Sequence, residues 1–172
     1  MKAFLYCALA ALVVFGVIVH LVYYPHLPDQ VASHFNAAGQ ADGFMSKSNY
    51  FAMMICLTVG MPAFLAALAW GIKYMPASMV NVPHKEYWLS PSMRPYTDAL
   101  NEKILLWVAL STSAFLAVLG HLTNRANCRN EDLPTVLFAA VLLAYLAVVL
   151  GVAFGTYYKM LRIPKPEDSQ IE

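Results

Sequence analysis

The sequence predicts an all-α membrane protein. It is a four-span transmembrane helical bundle, N-in and C-in, with an ordered outer loop between spans one and two. Three observations lead there. The 172 residues are 60% hydrophobic and 12% charged, against about 45–50% apolar and about 25% charged in soluble domains. Residues 3–24, 51–72, 104–122 and 135–158 contain no Asp, Glu, Lys or Arg. Each run is close to the roughly 20 residues a helix needs to cross a bilayer core, and none has the polar face that a soluble helix requires. With the N-terminus in the cytoplasm, eight of the 11 Lys and Arg fall inside and three (Lys47, Arg125 and Arg129) fall outside, as the positive-inside tendency demands.

The elements follow in order within a single integral membrane domain, 1–172. Span one ends in Tyr23 and Tyr24, aromatics suited to the headgroup level. Its apolar run exceeds the usual core of a signal peptide, so it reads as a span. The outer loop is 25–47. In "LPDQVASHFN", Pro28 suits a first helical position, and Leu27, Val31 and Phe35 share a helical face. That pattern predicts a short surface helix ended before Gly39. "ADGF" reads as a turn, and Ser46 or Ser48 can cap span two. Pro62 predicts a kink inside that span.

The cytoplasmic loop, 75–103, holds Pro83, Pro91 and Pro95, which break any continuous helix. Tyr87, Trp88 and Leu89 beside Lys85 and Arg94 suit a segment lying on the inner headgroup surface. A helix from Tyr96 leads into span three, and residues 123–134 form the second outer loop. In span four, Ala147, Gly151 and Gly155 offer a small-residue face for helix packing. Residues 163–172 read as a flexible tail.

Chemistry is sparse. There is no H-E-x-x-H, G-x-S-x-G, P-loop or C-x-x-C pattern, and no span carries the carboxylate usual in pumps and proton-coupled carriers. Net charge is +1, so nothing points to nucleic acid. No catalytic residue and no cofactor is predicted. His20, His26, His34 and His121 gather on the outer side with Asp29 and Asp42. Zinc or copper takes such ligands, but the spacing matches no compact metal motif, and imidazole also sits comfortably at an interface.

The stretch "SHFNAAGQADGFMSK" is longer than a connection requires. It reads either as a loop locked by its own turn residues or as a functional loop. Leu27, Pro28, His34, Phe35, Asn36, Gly39, Asp42, Gly43, Ser46 and Lys47 resemble the hallmark of the bacterial and archaeal membrane family called domain of unknown function 1648. Ala32 stands where many members have Pro. A second segment, on Asn81, Pro83, Lys85, Tyr87, Trp88 and Leu89, is similar to one that follows span two in some members, which have Asn in place of His84.

The resemblance implies a multi-pass protein of a bacterial or archaeal cell membrane. The best understood relatives are the Sdp immunity proteins, which protect a cell from a secreted membrane-attacking peptide and are larger, with an additional C-terminal module. The expectation is therefore a non-enzymatic membrane protein for immunity to, or sensing of, a membrane-active peptide. The alternatives are a small accessory subunit of a larger membrane complex and a metal-dependent membrane enzyme built on the outer histidines. The partners expected are the lipid bilayer and a peptide or larger membrane complex.

Overall fold

The computed structural model describes residues 2–163; all but the first residue of the tail expected at 163–172 lies outside the described residues. Four helices are long and apolar enough to cross a membrane. They are α1 (Lys2–Tyr23), α2 (Lys47–Gly71), α4 (Arg94–Arg129) and α5 (Thr135–Met160). Between α1 and α2 stands an antiparallel hairpin, β1 (Gln30–Phe35) and β2 (Ala41–Ser46). A four-residue helix, α3 (Lys85–Trp88), precedes α4.

Helix α4 is the axis of the bundle: α1, α2 and α5 all pack on it. Its 36 residues span about 54 Å at 1.5 Å each, well beyond a bilayer core of roughly 30 Å. Hence it projects past the membrane at both ends. The remaining faces carry exposed apolar side chains, such as Phe15 and Leu21 on α1, Phe64 on α2, and Leu143 and Phe154 on α5. In a membrane these meet lipid.

The sequence reading needs four corrections. First, where a surface helix is expected over residues 27–36, the chain forms strand β1 over Gln30–Phe35. Leu27 and Val31 are buried, as one helical face would have them, and pack with Tyr50 and Met54. However, strand β2 is close by and pairs with β1 through backbone hydrogen bonds, which a helix on the surface would not need. Second, the "ADGF" turn lies inside β2. The chain reverses earlier, over 36–40, where the Asn36 side-chain oxygen accepts from the N–H groups of Ala38 (2.9 Å) and Gln40 (3.0 Å). Gly39 there has φ +86°, a backbone conformation that side chains disfavour.

Third, α4 does not stop near 122. It continues to Arg129 and ends on Asn130 in the left-handed conformation (φ 53°), so the second connection is only 130–134. Two of the polar residues that suggested a loop turn inward: Asn124 is fully buried and Asn127 bonds to β1. Fourth, Trp88 does not lie on a headgroup surface. It is 3% exposed, packs with Val80, Val82 and Met160, and its indole N–H donates to the Met160 carbonyl (2.8 Å). The cap expectation holds: Ser46 caps α2 by accepting from the Asn49 N–H (3.4 Å). Pro62 lies within that helix.

Candidate functional site

The hairpin is fastened to the bundle on three sides. Val31 is wholly buried against α2, a placement worth about 1.5–3 kcal/mol for such a side chain. Asn127 of α4 pairs with β1 as a neighbouring strand would. Its side-chain oxygen accepts from the Ala32 N–H (2.7 Å), and its amide donates to the Ala32 carbonyl (3.0 Å). At the tip, the Leu133 N–H donates to the Gly39 carbonyl (2.8 Å). A Cβ on Gly39 would stand 2.3 Å from the Leu133 carbonyl oxygen, so only glycine permits this contact. Lys47 closes the base. Its ammonium donates to the carbonyls of Leu27 (3.0 Å) and Pro25 (3.5 Å) and lies 4.8 Å above the Tyr24 ring centre.

Register shifts on either side of His34 leave Ser33 and Asp42 outside the regular pairing. Such bulges turn a side chain away from strict alternation. His34 Nδ1–H then donates to Asp42 Oδ1 (2.5 Å), while Gly43 lies opposite in a tight contact: a Cβ there would be 3.0 Å from His34 Cβ. The predicted outer-motif residues thus fall on one small unit. Asn36 and Gly39 form the turn, His34, Asp42 and Gly43 form the bulged centre, Ser46 and Lys47 form the base, and Phe35 sits half-buried at the end of β1.

Beneath this unit lies a cleft of about 640 Å³. The hairpin roofs it with Ser33, His34 and Asn36. Its walls are Met53 and Leu57 of α2 and Phe138 and Ala139 of α5, and Leu119 and Thr123 of α4 form its floor. Helices α2 and α5 flank α4, so the side opposite the floor faces lipid. The cleft is polar under the hairpin and apolar towards the membrane interior. His34 keeps 72% of its side chain exposed, unlike the buried groups that fasten the hairpin.

Below the floor runs a buried polar chain that sequence reasoning missed. The Tyr50 hydroxyl donates to Asn124 Oδ1 (2.9 Å), and Asn124 Nδ2–H donates to His20 Nδ1 (3.1 Å). His20 Nε2–H in turn donates to Thr58 Oγ1 (3.2 Å). An amide nitrogen can only donate, so His20 carries its ring proton on Nε2. Two glycines make the space. A Cβ on Gly120 would be 2.6 Å from His20 Cε1, and one on Gly16 would be 2.7 Å from Thr58 Cγ2. Asn124 and Asn127, three residues apart, were the signal that could have been read: two amides on one helical face.

The histidines take separate partners. His20 is in the buried chain, His34 is with Asp42, and His121 Nδ1 lies 3.1 Å from the Tyr23 hydroxyl; His26 is exposed. Among the described residues no three His, Cys, Asp or Glu side chains are grouped to hold a metal ion. On the opposite side, Tyr87 and Trp88 pack edge to face, Pro83 is half-buried, and Asn81 and Lys85 are exposed. His84 there has φ 47°, a conformation that Asn tolerates well, in accord with the Asn of the resembled segment. Ala147, Gly151 and Gly155 are exposed, and a Cβ on either glycine would meet nothing within 4 Å.

Residues 11–59 match the family model described as Domain of unknown function (DUF1648). The match covers 49 of the 172 residues. It comprises the second half of α1, the whole hairpin and the first half of α2. The matched stretch therefore supplies the roof and one wall of the cleft, along with His20, Tyr50 and Thr58 of the buried chain, while α4 and α5 supply the rest. The segment around Trp88 lies outside the match. No curated protein and no solved structure matches the chain.

Proposed function

We propose that this multi-pass membrane protein is a non-enzymatic binder of a membrane-active amphipathic peptide, serving immunity to it or sensing of it in a bacterial or archaeal cell membrane. The observation that carries the reading is the cleft under the hairpin, where Ser33, His34 and Asn36 stand over walls made largely of apolar side chains. An amphipathic helix lays its apolar face in such a groove and keeps polar groups at the rim. His34, held by Asp42, lines the cleft and is exposed enough to meet a ligand. The resemblance of the hairpin motif to the domain of unknown function 1648 family, whose best understood relatives are the Sdp immunity proteins, supports the same reading, and the Lys and Arg asymmetry favours a hairpin that faces outwards, where a secreted peptide arrives.

The test uses the full chain in nanodiscs and a fluorescent synthetic peptide of alternating leucine and lysine helical faces. Ala139 is exposed on the cleft wall, so Ala139→Trp should fill the groove without disturbing the bundle. Binding is expected to weaken at least about tenfold, the equivalent of roughly 1.4 kcal/mol. Unchanged binding by that variant removes the cleft as the site.

One observation favours the second reading, an accessory subunit. Ala147, Gly151 and Gly155 are exposed, and a Cβ on either glycine would meet nothing within 4 Å among the described residues; such faces allow another transmembrane helix to come close. Gly151→Leu should then abolish co-purification of a partner in mild detergent while leaving peptide binding intact.

A further inference from the structure

We propose that the hairpin side of the bundle carries a second site, for a phosphate group, at the junction of α1 and α4. It lies apart from the cleft on the opposite face of α4. Tyr23, His121, Arg125, Cys128 and Arg129 surround a cavity of about 360 Å³. His121, Arg125 and Arg129 follow one another at intervals of four residues, so they form a single row along the exposed face of the helix.

The charges of this side explain why the row is a site. Three of its side chains are cationic. Lys47 is committed to the Leu27 and Pro25 carbonyls and to the Tyr24 ring. Arg125 and Arg129 make no ion pair or side-chain hydrogen bond among the described residues, although Glu131 and Asp132 follow closely in the chain. A cation in the last turn of a helix complements the helix dipole. That accounts for Arg129, but the effect fades within one turn and leaves Arg125 unexplained. Two free guanidinium groups flanking a cavity match the tetrahedral oxygens of phosphate, which arginine binds by parallel N–H donors.

The neighbouring ring completes the donor set. The Tyr23 hydroxyl and His121 Nδ1 share a hydrogen bond of 3.1 Å; in the tautomer in which the hydroxyl donates, the imidazole proton rests on Nε2, which has no partner among the described residues. The Tyr23 and His121 rings meet edge to face, 5.7 Å between centres, which holds that N–H in place. The row begins where α1 ends in its interfacial tyrosines, the level of lipid headgroups. A phosphodiester headgroup and a free phosphate ion share the recognised chemistry.

The experiment titrates the purified full chain with two probes, dioctanoylphosphatidylglycerol and inorganic phosphate. Native mass spectrometry reads the lipid, phosphorus-31 line broadening reads the ion, and dioctanoylglycerol, which lacks the phosphate, is the control. Arg125→Gln with Arg129→Gln is expected to weaken phosphate-dependent binding at least about tenfold, because hydrogen bonds to charged groups are worth roughly 1.5–3 kcal/mol each. Arg125→Lys with Arg129→Lys keeps the charge and loses the fork, and should fall between the two. A response to the lipid probe alone assigns a headgroup; a response to both assigns phosphate from either source. If wild type and the glutamine variant bind both probes equally, or if dioctanoylglycerol shows the same loss as the phospholipid, the site does not exist.

Discussion

His20 and Gly120 are paired across the α1–α4 interface: the imidazole occupies the space that a side chain at Gly120 would fill, with Cε1 2.6 Å from the position of a Cβ. The ring is 2% exposed, yet both its nitrogens are bonded. Burying an imidazole in a membrane bundle is tolerable only on those terms, because an unpaired polar group there costs several kcal/mol. Gly120→Ala should destabilise the bundle by about 1–3 kcal/mol, the usual cost of overpacking. In a His20→Ala background the same change should cost almost nothing. Equal losses in both backgrounds, read from melting in detergent, would show that the ring and the glycine are not coupled.

Asn127 joins the hairpin to α4 through both the oxygen and the nitrogen of its side-chain amide. Asn127→Ala leaves the Ala32 N–H and carbonyl without partners, at a cost of about 1–3 kcal/mol. Amide exchange at Ala32 should accelerate, while α1 and α2 exchange at their wild-type rates. Exchange at Ala32 unchanged from wild type would mean that the hairpin stands without this fastening.

Asn36 and His34 should separate stability from binding. The Asn36 carbonyl holds two backbone N–H groups in the turn, so Asn36→Ala should lower stability by about 1–2 kcal/mol. The His34–Asp42 pair is largely exposed, and exposed ion pairs contribute roughly 0–1 kcal/mol. His34→Ala should therefore melt close to wild type yet bind the amphipathic peptide more weakly. A large stability loss with unaltered binding would make His34 a purely structural residue.

The Lys and Arg asymmetry predicts that the hairpin faces outwards and the loop before α4 faces the cytoplasm. In a background without Cys7, Cys56 and Cys128, a cysteine replacing Gln40 should react with an impermeant thiol reagent on intact cells. One replacing Ser92, exposed at the opposite end, should react only after lysis. The reverse pattern would invert the protein and remove the hairpin from the path of an external peptide.

By itself the sequence determined the four spans, because runs of about 20 uncharged residues leave a chain in water no other way to hide its apolar surface. It also determined the cap at Ser46, which is a local matter of one side chain and a nearby N–H. The hairpin was not legible. Leu27, Val31 and Phe35 recur with a helical period, and the strand that overrides it needs β2 as a partner and Asn127 as a fastening, 95 residues away from Ala32. The buried chain from Tyr50 to Thr58 was hidden for the same reason. Polar residues on one helix read as a lipid-facing oddity or a loop until a second helix brings their partners, and only the tertiary structure decides which hydrogen bonds a membrane-buried group can complete. The cleft is the extreme case, since its roof, walls and floor come from the hairpin, α2, α5 and α4 and no stretch of sequence contains it.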